Sequence, residues 1–243
     1  MSLSKNVSLC LVVANSDDCL NRFFEWSLSK FEDIIVVKSD SKDSTDQILD
    51  KFVTKYPNQI SLYYKPIVNI ADQKQYCVNL SKKKYKLIID ADEIMEDCDW
   101  DSMINWMDSN AVDLVYFPRY NLQKDENHYL STSYPDWQPR LFNSLVKFDT
   151  NPMYETHHVM TGQRQQSAIP NCHIIHWGHI RNQDQLKWKS DMRKKYAKTD
   201  LCDGKNLLNY DNWFFERNKV MKFDEQAIEL PETTKKLIME YNK

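Results

Sequence analysis

Glycine is almost missing from this chain: Gly162, Gly178 and Gly204 are the only three in 243 residues. Neither a Gly-x-Gly-x-x-Gly dinucleotide turn nor a Walker A loop can be written anywhere, so a diphosphate would have to be neutralised without a glycine-rich cradle. A carboxylate-bound divalent metal is the natural alternative. Cys-x-x-Cys pairs are missing too. The six cysteines (Cys10, Cys19, Cys77, Cys98, Cys172 and Cys202) are scattered, which argues against a zinc ribbon or redox motif and reads as reduced, structural thiols. There is no basic excess either: 32 Lys and Arg against 35 Asp and Glu give a net charge of −3, which excludes a global field for a nucleic-acid backbone. Long apolar runs are lacking. The stretch from Leu9 to Ala14 is too short to span a membrane and carries no signal-peptide cleavage pattern, so the expectation is a soluble, cytoplasmic protein with no transmembrane segment, compatible with peripheral contact at a membrane-borne acceptor.

What is present is a globular composition. Hydrophobic residues make up 42%, charged residues 28% and aromatics 12%, enough for a sizeable core in one elaborated domain. The first third alternates β-rich runs with helical stripes, the signature of βαβ units and a largely parallel sheet. Leu9 to Ala14 predicts a first strand, and Leu20, Phe23, Phe24, Ser27, Leu28 and Phe31 recur at helical spacing. Ile34 to Val37 predicts a second strand. Ser44 with Gln47 resembles a capping box ahead of a stripe from Ile48 to Tyr56, which Pro57 stops. Ile60 to Tyr64 predicts a third strand, Asp72 with Gln75 opens a short helix, and the Lys82 to Lys84 run fits its exposed carboxyl end.

Lys86 to Ile89 then predicts a buried strand that ends in Asp90-Ala91-Asp92-Glu93. Ligands of open α/β sheets sit beyond the carboxyl ends of the strands, so these acids are delivered where a ligand is expected. Asp40 and Asp43 after the second strand, and Asn15, Asp17 and Asp18 after the first, gather at the same edge. Trp100, Met103, Ile104 and Met107 predict an amphipathic helix, and Leu114 to Phe117 a strand halted by Pro118. The pattern loosens between Arg119 and Thr161. Cys172 to Ile175 reads as one more strand, and residues from Gln183 onward as two or three helices, the first carrying Lys187, Lys189, Arg193, Lys194 and Lys195.

A divalent cation held by an Asp-x-Asp pair can act as a Lewis acid on a departing diphosphate, one acid reaching the metal and the other a ribose hydroxyl or a metal-bound water. Such acids also gather at turns to cap helices. Several segments together carry a more specific pattern: Ile34-Ile35-Val36-Val37 leading to Ser41-Lys42-Asp43-Ser44-Thr45, then Leu87 to Glu93, Phe117-Pro118-Arg119, and Tyr134-Pro135-Asp136-Trp137-Gln138-Pro139-Arg140-Leu141-Phe142. Over roughly residues 5 to 185 the chain resembles the family 2 glycosyltransferases of the GT-A fold. The resemblance implies an α/β, Rossmann-like, mostly parallel sheet flanked by helices, a nucleotide-sugar donor, with a UDP-sugar first, Mn²⁺ or Mg²⁺ as cofactor, and usually inversion at the anomeric carbon. It divides the chain into a catalytic domain over residues 1–185, with a nucleotide-sugar half at 1–98 and an acceptor half at 99–185, and a small helical extension at 186–243.

Carried over by position, Asp92 would ligate the metal, Asp90 would contact ribose or a metal water, and Ala14, Asn15, Asp43 and Lys74 would border the nucleotide. The chain departs from the family pattern at Ser16, where a glutamate is common, at Lys38, where an acid is common, at Asp40, where glycine is common, and at Lys74-Gln75, where Arg-Asn is frequent. Lys74 keeps a cation near phosphate and loses the planar fork of arginine.

Inverting transfer needs a general base for the acceptor hydroxyl, a glycan or another alcohol. Asp136 is the candidate, beside Trp137, whose face can stack on a sugar, and near Arg140, which can hold that carboxylate or contact phosphate. The alternative is that Asp136 is a turn residue and Arg140 its structural partner. Glu93 and Glu155 are lesser candidates for the base. His157-His158 stands where the family often has His-Glu, which makes His157 an acceptor-side candidate. His173, His176 and His179 follow at three-residue steps that alternate faces on a strand, which disfavours a shared zinc site. His176, ahead of Trp177 and Gly178, resembles the histidine that reaches back to the metal in many such enzymes. Two other classes stay open on residues alone: a metal-dependent phosphoester hydrolase or nucleotidyltransferase, and a non-catalytic glycan-binding module that keeps the fold.

Overall fold

The computed structural model describes residues 4–149, 160–181, 184–188, 191 and 227–242. Its first half is the alternation expected from the periodicities: β1 (Val7–Val13), α1 (Leu20–Leu28), β2 (Ile34–Lys38), α2 (Thr45–Lys55), β3 (Ile60–Tyr64), α3 (Ile70–Leu80) and β4 (Tyr85–Ile88). β1 lies between β2 and β4, parallel to both, and β2 pairs in parallel with β3. After β5 (Glu93–Met95) and α4 (Trp100–Ser109) come β6 (Leu114–Phe117), β7 (Arg119–Asn121), β8 (His128–Leu130) and β9 (Gln138–Asn143). β9 inserts antiparallel between β4 and β6, and β12 (Gln166–Ala168) closes that edge, giving a seven-stranded sheet in the order β12-β6-β9-β4-β1-β2-β3.

Side chains of successive strand residues go to opposite faces, and each face is buried under its own layer. Leu9, Leu11 and Val13 join Phe23, Phe24 and Trp26 of α1, while Cys10, Ile35, Val37 and Ile88 meet Ala71, Cys77 and Val78 of α3. A near-continuous apolar strand such as β2 is what a parallel sheet covered on both faces requires.

Local signals fall out differently in places. The α1 stripe ends at Leu28, and Phe31 is buried beyond it, bridged to Ser4. Ser44 is the N-cap of α2 but makes no side-chain cap bond; Asp43 accepts from the Thr45 amide at 3.0 Å instead. The cap of α3 is Asn69, accepting from the Asp72 amide at 3.0 Å, so the helix begins before the expected Asp72.

A smaller sheet in the order β5-β13-β7 stands at the carboxyl edge of the large one, β13 being Ile174–His176. Two hairpin-sized pairs complete the strands, β10 (Lys147–Phe148) with β11 (Met160–Thr161), and β8 with β14 (Ala227–Glu229). Where helices alone were expected near the carboxyl end, the chain supplies β14 followed by α5 (Glu232–Tyr241). Leu230, Ile238 and Tyr241 are buried in the main core, and Thr234 Oγ1 donates to Glu96 at 2.6 Å. Residues 184–188 are helical; Lys189, Arg193, Lys194 and Lys195 of the expected basic helix lie outside the described residues.

The reading of all cysteines as reduced is corrected at one pair: Cys98 and Cys172 form a disulfide. β5 and β13 run antiparallel with Met95 opposite Ile174, which brings together the chain just after the first and just before the second. Cys10, Cys19 and Cys77 are buried and take part in no disulfide. Among the described residues no helix is long and apolar enough to cross a membrane.

Asp113, 1% exposed, staples the far edge of the large sheet. Its carboxylate accepts from Asn143 Nδ2 at 2.6 Å and from the Arg164 amide at 2.8 Å, tying β6 to β9 and to the approach of β12. Burial pushes this carboxyl up, but Arg164 and the donated hydrogen bonds more than offset it and hold it at about 2. A carboxyl lowered by folding stabilises the protein above its unfolded value, about 3.9, and that contribution is lost as pH falls toward the folded value. Thermal unfolding followed from pH 5 to pH 2 should therefore show a shallower decline for Asp113→Asn than for the unchanged protein; parallel declines would show that the staple does not contribute.

Candidate active site

β1 and β2 end at one edge, and the loops that follow them are knitted together. Asn15 takes a left-handed backbone, φ 45°, a conformation asparagine tolerates better than most residues. Its amide donates to Ser41 Oγ at 3.1 Å and its Oδ1 accepts from the Lys42 amide at 2.7 Å. Ser16 donates its amide to Thr45 Oγ1 at 2.7 Å, and Asp43 accepts from the Asp17 amide at 3.2 Å and from Gln185 Nε2 at 3.1 Å. Burial raises the Asp43 carboxyl, and the bonds from Thr45, Asp17 and Gln185 more than reverse this, leaving it below the ordinary range. The result is a fixed rim with Ala14 and Asn15 buried beneath it.

The acid segment follows β4 on this edge. Asp90, its side chain 33% exposed, accepts from Lys74 Nζ of α3 at 2.9 Å and faces Arg140 Nη2 at 3.4 Å. Asp92 is buried, with Oδ2 3.6 Å from His176 Nε2 and 3.6 Å from Arg181 Nη1. Arg181 is itself clamped by Asp18, through Nε at 2.9 Å and Nη2 at 2.5 Å.

The small sheet assembles the rest. Its register sets His176 beside Glu93 on one side and Asn121 on the other. Gly178 lets the histidine lie where it does, because a Cβ there would overlap the imidazole ring. His176 Nδ1 is 2.7 Å from Asn121 Oδ1, and Asn121 Nδ2 donates to Asp136 Oδ2 at 2.9 Å. Burial depresses the His176 basicity and Arg119 depresses it further, against the pull of Asp92.

Arg140 does not hold Asp136. It is 0% exposed, two residues deeper in β9 than Gln138, and a guanidinium at that depth must pair with an acid at the same depth. That acid is Glu93, also 0% exposed, which accepts from Arg140 Nη2 at 2.6 and 2.7 Å. Arg119 binds Glu93 on its other side at 2.8 Å and reaches Asp136 Oδ2 through Nε at 2.9 Å and Nη2 at 2.6 Å. Gln138 Nε2 donates to Asp136 Oδ1 at 2.7 Å. Burial raises the Asp136 carboxyl, and Arg119, Asn121 and Gln138 bring it below the ordinary carboxylate range. Glu93 is likewise lifted by burial and lowered further by Arg140 and Arg119, so it is a buried counter-ion with no free face for a base.

Trp137 is 39% exposed beside Asp136. His173 departs from His176: its ring contacts Glu96 at 2.7 Å and Tyr134 OH at 2.9 Å and stacks on Tyr120. Glu155, His157 and His158 lie outside the described residues. Four participants were absent from the sequence expectations: Asn121, Arg181, Gly178 and Arg119 in its pairing role. Asn121 had one weak signal, since it shares a strand face with Arg119 two residues earlier.

The donor set fits a small divalent cation. The Asn121 oxygen takes the Nδ1 proton, so a neutral His176 would present its Nε2 lone pair beside the Asp92 carboxylate, 3.6 Å away, with Arg181 also 3.6 Å from that acid. Among the described residues no group of three or more His, Cys, Asp or Glu gathers as a metal cage, so a cation beside Asp92 and His176 would need phosphate or water to complete its shell.

A mostly parallel sheet with an acid pair at its carboxyl edge, a knitted loop rim and a short second sheet behind it is the GT-A-type glycosyltransferase architecture. A model described as "Glycosyl transferase family 2" matches residues 8–169, and the chain belongs to that family of glycosyltransferases. A relative from Bacillus subtilis (strain 168), the "Minor teichoic acid biosynthesis protein GgaB", is 25% identical over 168 residues, covering 66% of this chain and 18% of its own length. The chain thus spans less than a fifth of that relative. Crystal structures of S. aureus TarS 1-349 superpose with a TM-score of 0.50 in complex with UDP, at 11% identity over 88% of this chain and 71% of that one. The UDP-GlcNAc complex gives 0.50 at 12% identity, over 88% and 72%. At such identity these likenesses establish the fold.

Removing one member of a buried ion pair strands the other's charge and costs about 3–5 kcal/mol. Glu93→Ala should therefore lower the unfolding free energy by that much, read as a lower urea midpoint at unchanged slope, with Arg140 and Arg119 left facing each other; a change under about 1 kcal/mol would show that the pair is solvated and does not organise the site.

Proposed function

We propose that this chain transfers a sugar from a UDP-sugar to a hydroxyl of a glycan or related polymer, with inversion and with Mn²⁺ or Mg²⁺ held by Asp92 and His176. The observation that carries the reading is the convergence at one sheet edge of Asp90, Asp92 and His176 with Asp136, joined through Arg140, Glu93, Arg119 and Asn121. When bound, the cation supplies Lewis-acid stabilisation of the charge left on the diphosphate. The name of the Bacillus subtilis relative makes a teichoic acid hydroxyl the first acceptor to test.

The protein's own groups divide the remaining work. The rim of Ala14, Asn15 and Asp43 borders the nucleotide, and Asp90, pinned by Lys74, faces the ribose or the cation's water shell. Arg181, already 3.6 Å from Asp92, adds a fixed positive charge near the phosphates. On the acceptor side Trp137 offers its face to a sugar ring, and Asp136 takes the hydroxyl proton as that oxygen forms its bond to the anomeric carbon. The bond from that carbon to the β-phosphate oxygen breaks, and its electron pair leaves with the diphosphate. Arg119 keeps Asp136 ionised before the step, so the carboxylate accepts the proton late, when the acceptor oxygen has become acidic.

A second reading has one specific observation behind it: Asp136 accepts four hydrogen bonds, from Arg119 twice, Asn121 and Gln138, as a structural counter-ion would. Transfer kinetics separate the two. Isothermal titration with UDP should show tighter binding with Mn²⁺ present, and Asp92→Ala should abolish that dependence. Asp136→Asn should bind UDP normally and lose about 10²–10⁴ in kcat. An Asp136→Asn rate within a few-fold of the unchanged enzyme would assign that carboxylate to structure, and Mn²⁺-independent binding by the unchanged protein would remove the cation from the account.

A further inference from the structure

One carboxamide touches both halves of the site. Asn121 is 4% exposed on β7, and its two side-chain ends have different neighbours. Nδ2 is 2.9 Å from Asp136 Oδ2 and 3.3 Å from Ser133 Oγ, and Oδ1 is 2.7 Å from His176 Nδ1. Oxygen and nitrogen of an amide are told apart by their partners. Here the partners decide: Asp136, with its carboxyl held below the ordinary range, only accepts, and Ser133 Oγ spends its own proton on Leu130 O at 3.2 Å, so it accepts too. The end facing Asp136 is therefore the NH₂ group, and the oxygen faces the histidine.

That orientation fixes the proton on the ring. An oxygen acceptor 2.7 Å from Nδ1 requires Nδ1–H, and a neutral imidazole then has its lone pair on Nε2, the nitrogen aimed at Asp92. Reversing the amide would set its oxygen against the Asp136 carboxylate at 2.9 Å, two acceptors with nothing between them. Free histidine favours the other tautomer, with the proton on Nε2, which would point a donor into the place where a cation ligand is needed. Gly178 and the β13–β7 register hold the ring in place but say nothing about which nitrogen carries hydrogen.

The structure assigns Asn121 as a positioning residue: read out from Asp136, its carboxamide sets His176 in the Nδ1–H form and so presents a bare Nε2 beside Asp92. The assignment deepens the proposed function, since it rests on His176 serving the donor-side cation. It also makes the acceptor-side acid part of what prepares the donor side. A hydrogen-bond partner on the far nitrogen of a ligating histidine fixes ring and tautomer, and its loss typically weakens metal binding by about 10–100-fold.

The test reads the tautomer directly, on the full chain without metal. Long-range ¹H–¹⁵N correlation spectra of histidine-labelled protein, with the His176 signals identified by their loss in His176→Gln, should show Nδ1 protonated and Nε2 bare. Asn121→Leu should move the ring toward the Nε2–H form and weaken Mn²⁺ binding to the UDP complex about 10-fold or more. Asn121→Asp keeps an oxygen for Nδ1–H, and one proton shared between its other oxygen and Asp136 Oδ2 spares two facing acceptors, so it should retain the tautomer and the Mn²⁺ affinity while the tied-up Asp136 carboxylate lowers kcat; this variant separates positioning from general loss of structure. An Nε2–H ring in the unchanged protein, or an Asn121→Leu protein with the same tautomer and Mn²⁺ affinity, would overturn the assignment. UDP binding that ignores Mn²⁺ together with the expected tautomer pattern would reject the cation reading of His176 and leave the role of Asn121 supported.

Discussion

A carboxylate buried between two guanidiniums is the constraint on which the rest of this site depends. Glu93 has no exposed surface, nor has Arg140, and Arg119 closes the other side of the acid. Charges at that depth persist only when paired, and the pairing draws three strands into a fixed relation: β9 through Arg140, β5 through Glu93 and β7 through Arg119. What reaches the surface inherits this geometry. Arg140 also faces Asp90, and Arg119 holds Asp136, so Asp90 and Asp136 are two ends of one ionic chain. A transferase gains from such rigidity because the reacting groups need no reorganisation when charge develops.

The rim formed by the loops after β1 and β2 obeys a second constraint. With three glycines in the chain, the loops after β1 and β2 cannot cradle phosphate with bare backbone, and their amides are taken up by one another's side chains instead. Asn15 makes the left-handed turn that glycine would otherwise supply. Fixed charge replaces the missing backbone donors: Lys74 lies on Asp90, and Arg181, clamped by Asp18, lies near Asp92.

Much of this was legible in the sequence, and the division has physical reasons. β1 to β4 and their helices are long enough for period-2 and period-3.6 patterns to register, and the burial of β4 forces the acids after it to the carboxyl edge. The resemblance to family 2 glycosyltransferases rested partly on these strand ends and partly on Phe117 to Arg119 and Tyr134 to Phe142, and the family match confirms it. The small sheet is different: β5, β7 and β13 have three residues each, too few for a period, yet their register is what sets His176 between Glu93 and Asn121. Arg140 was read as a neighbour of Asp136 because they are four residues apart; the depth of Arg140 in β9, which sequence does not display, sends it to Glu93 instead. The Cys98–Cys172 link crosses 74 residues and follows from the same unseen pairing of β5 with β13.

The central claim is that Asp92, just ahead of β5, and His176 of β13 share one cation when a nucleoside diphosphate is present. The most direct measurement is anomalous diffraction at the manganese edge from crystals grown with UDP and Mn²⁺. The account predicts one strong peak between the Asp92 carboxylate and His176 Nε2, in contact with the diphosphate. Ordered UDP at this edge with no such peak, or a peak bound elsewhere, would contradict it.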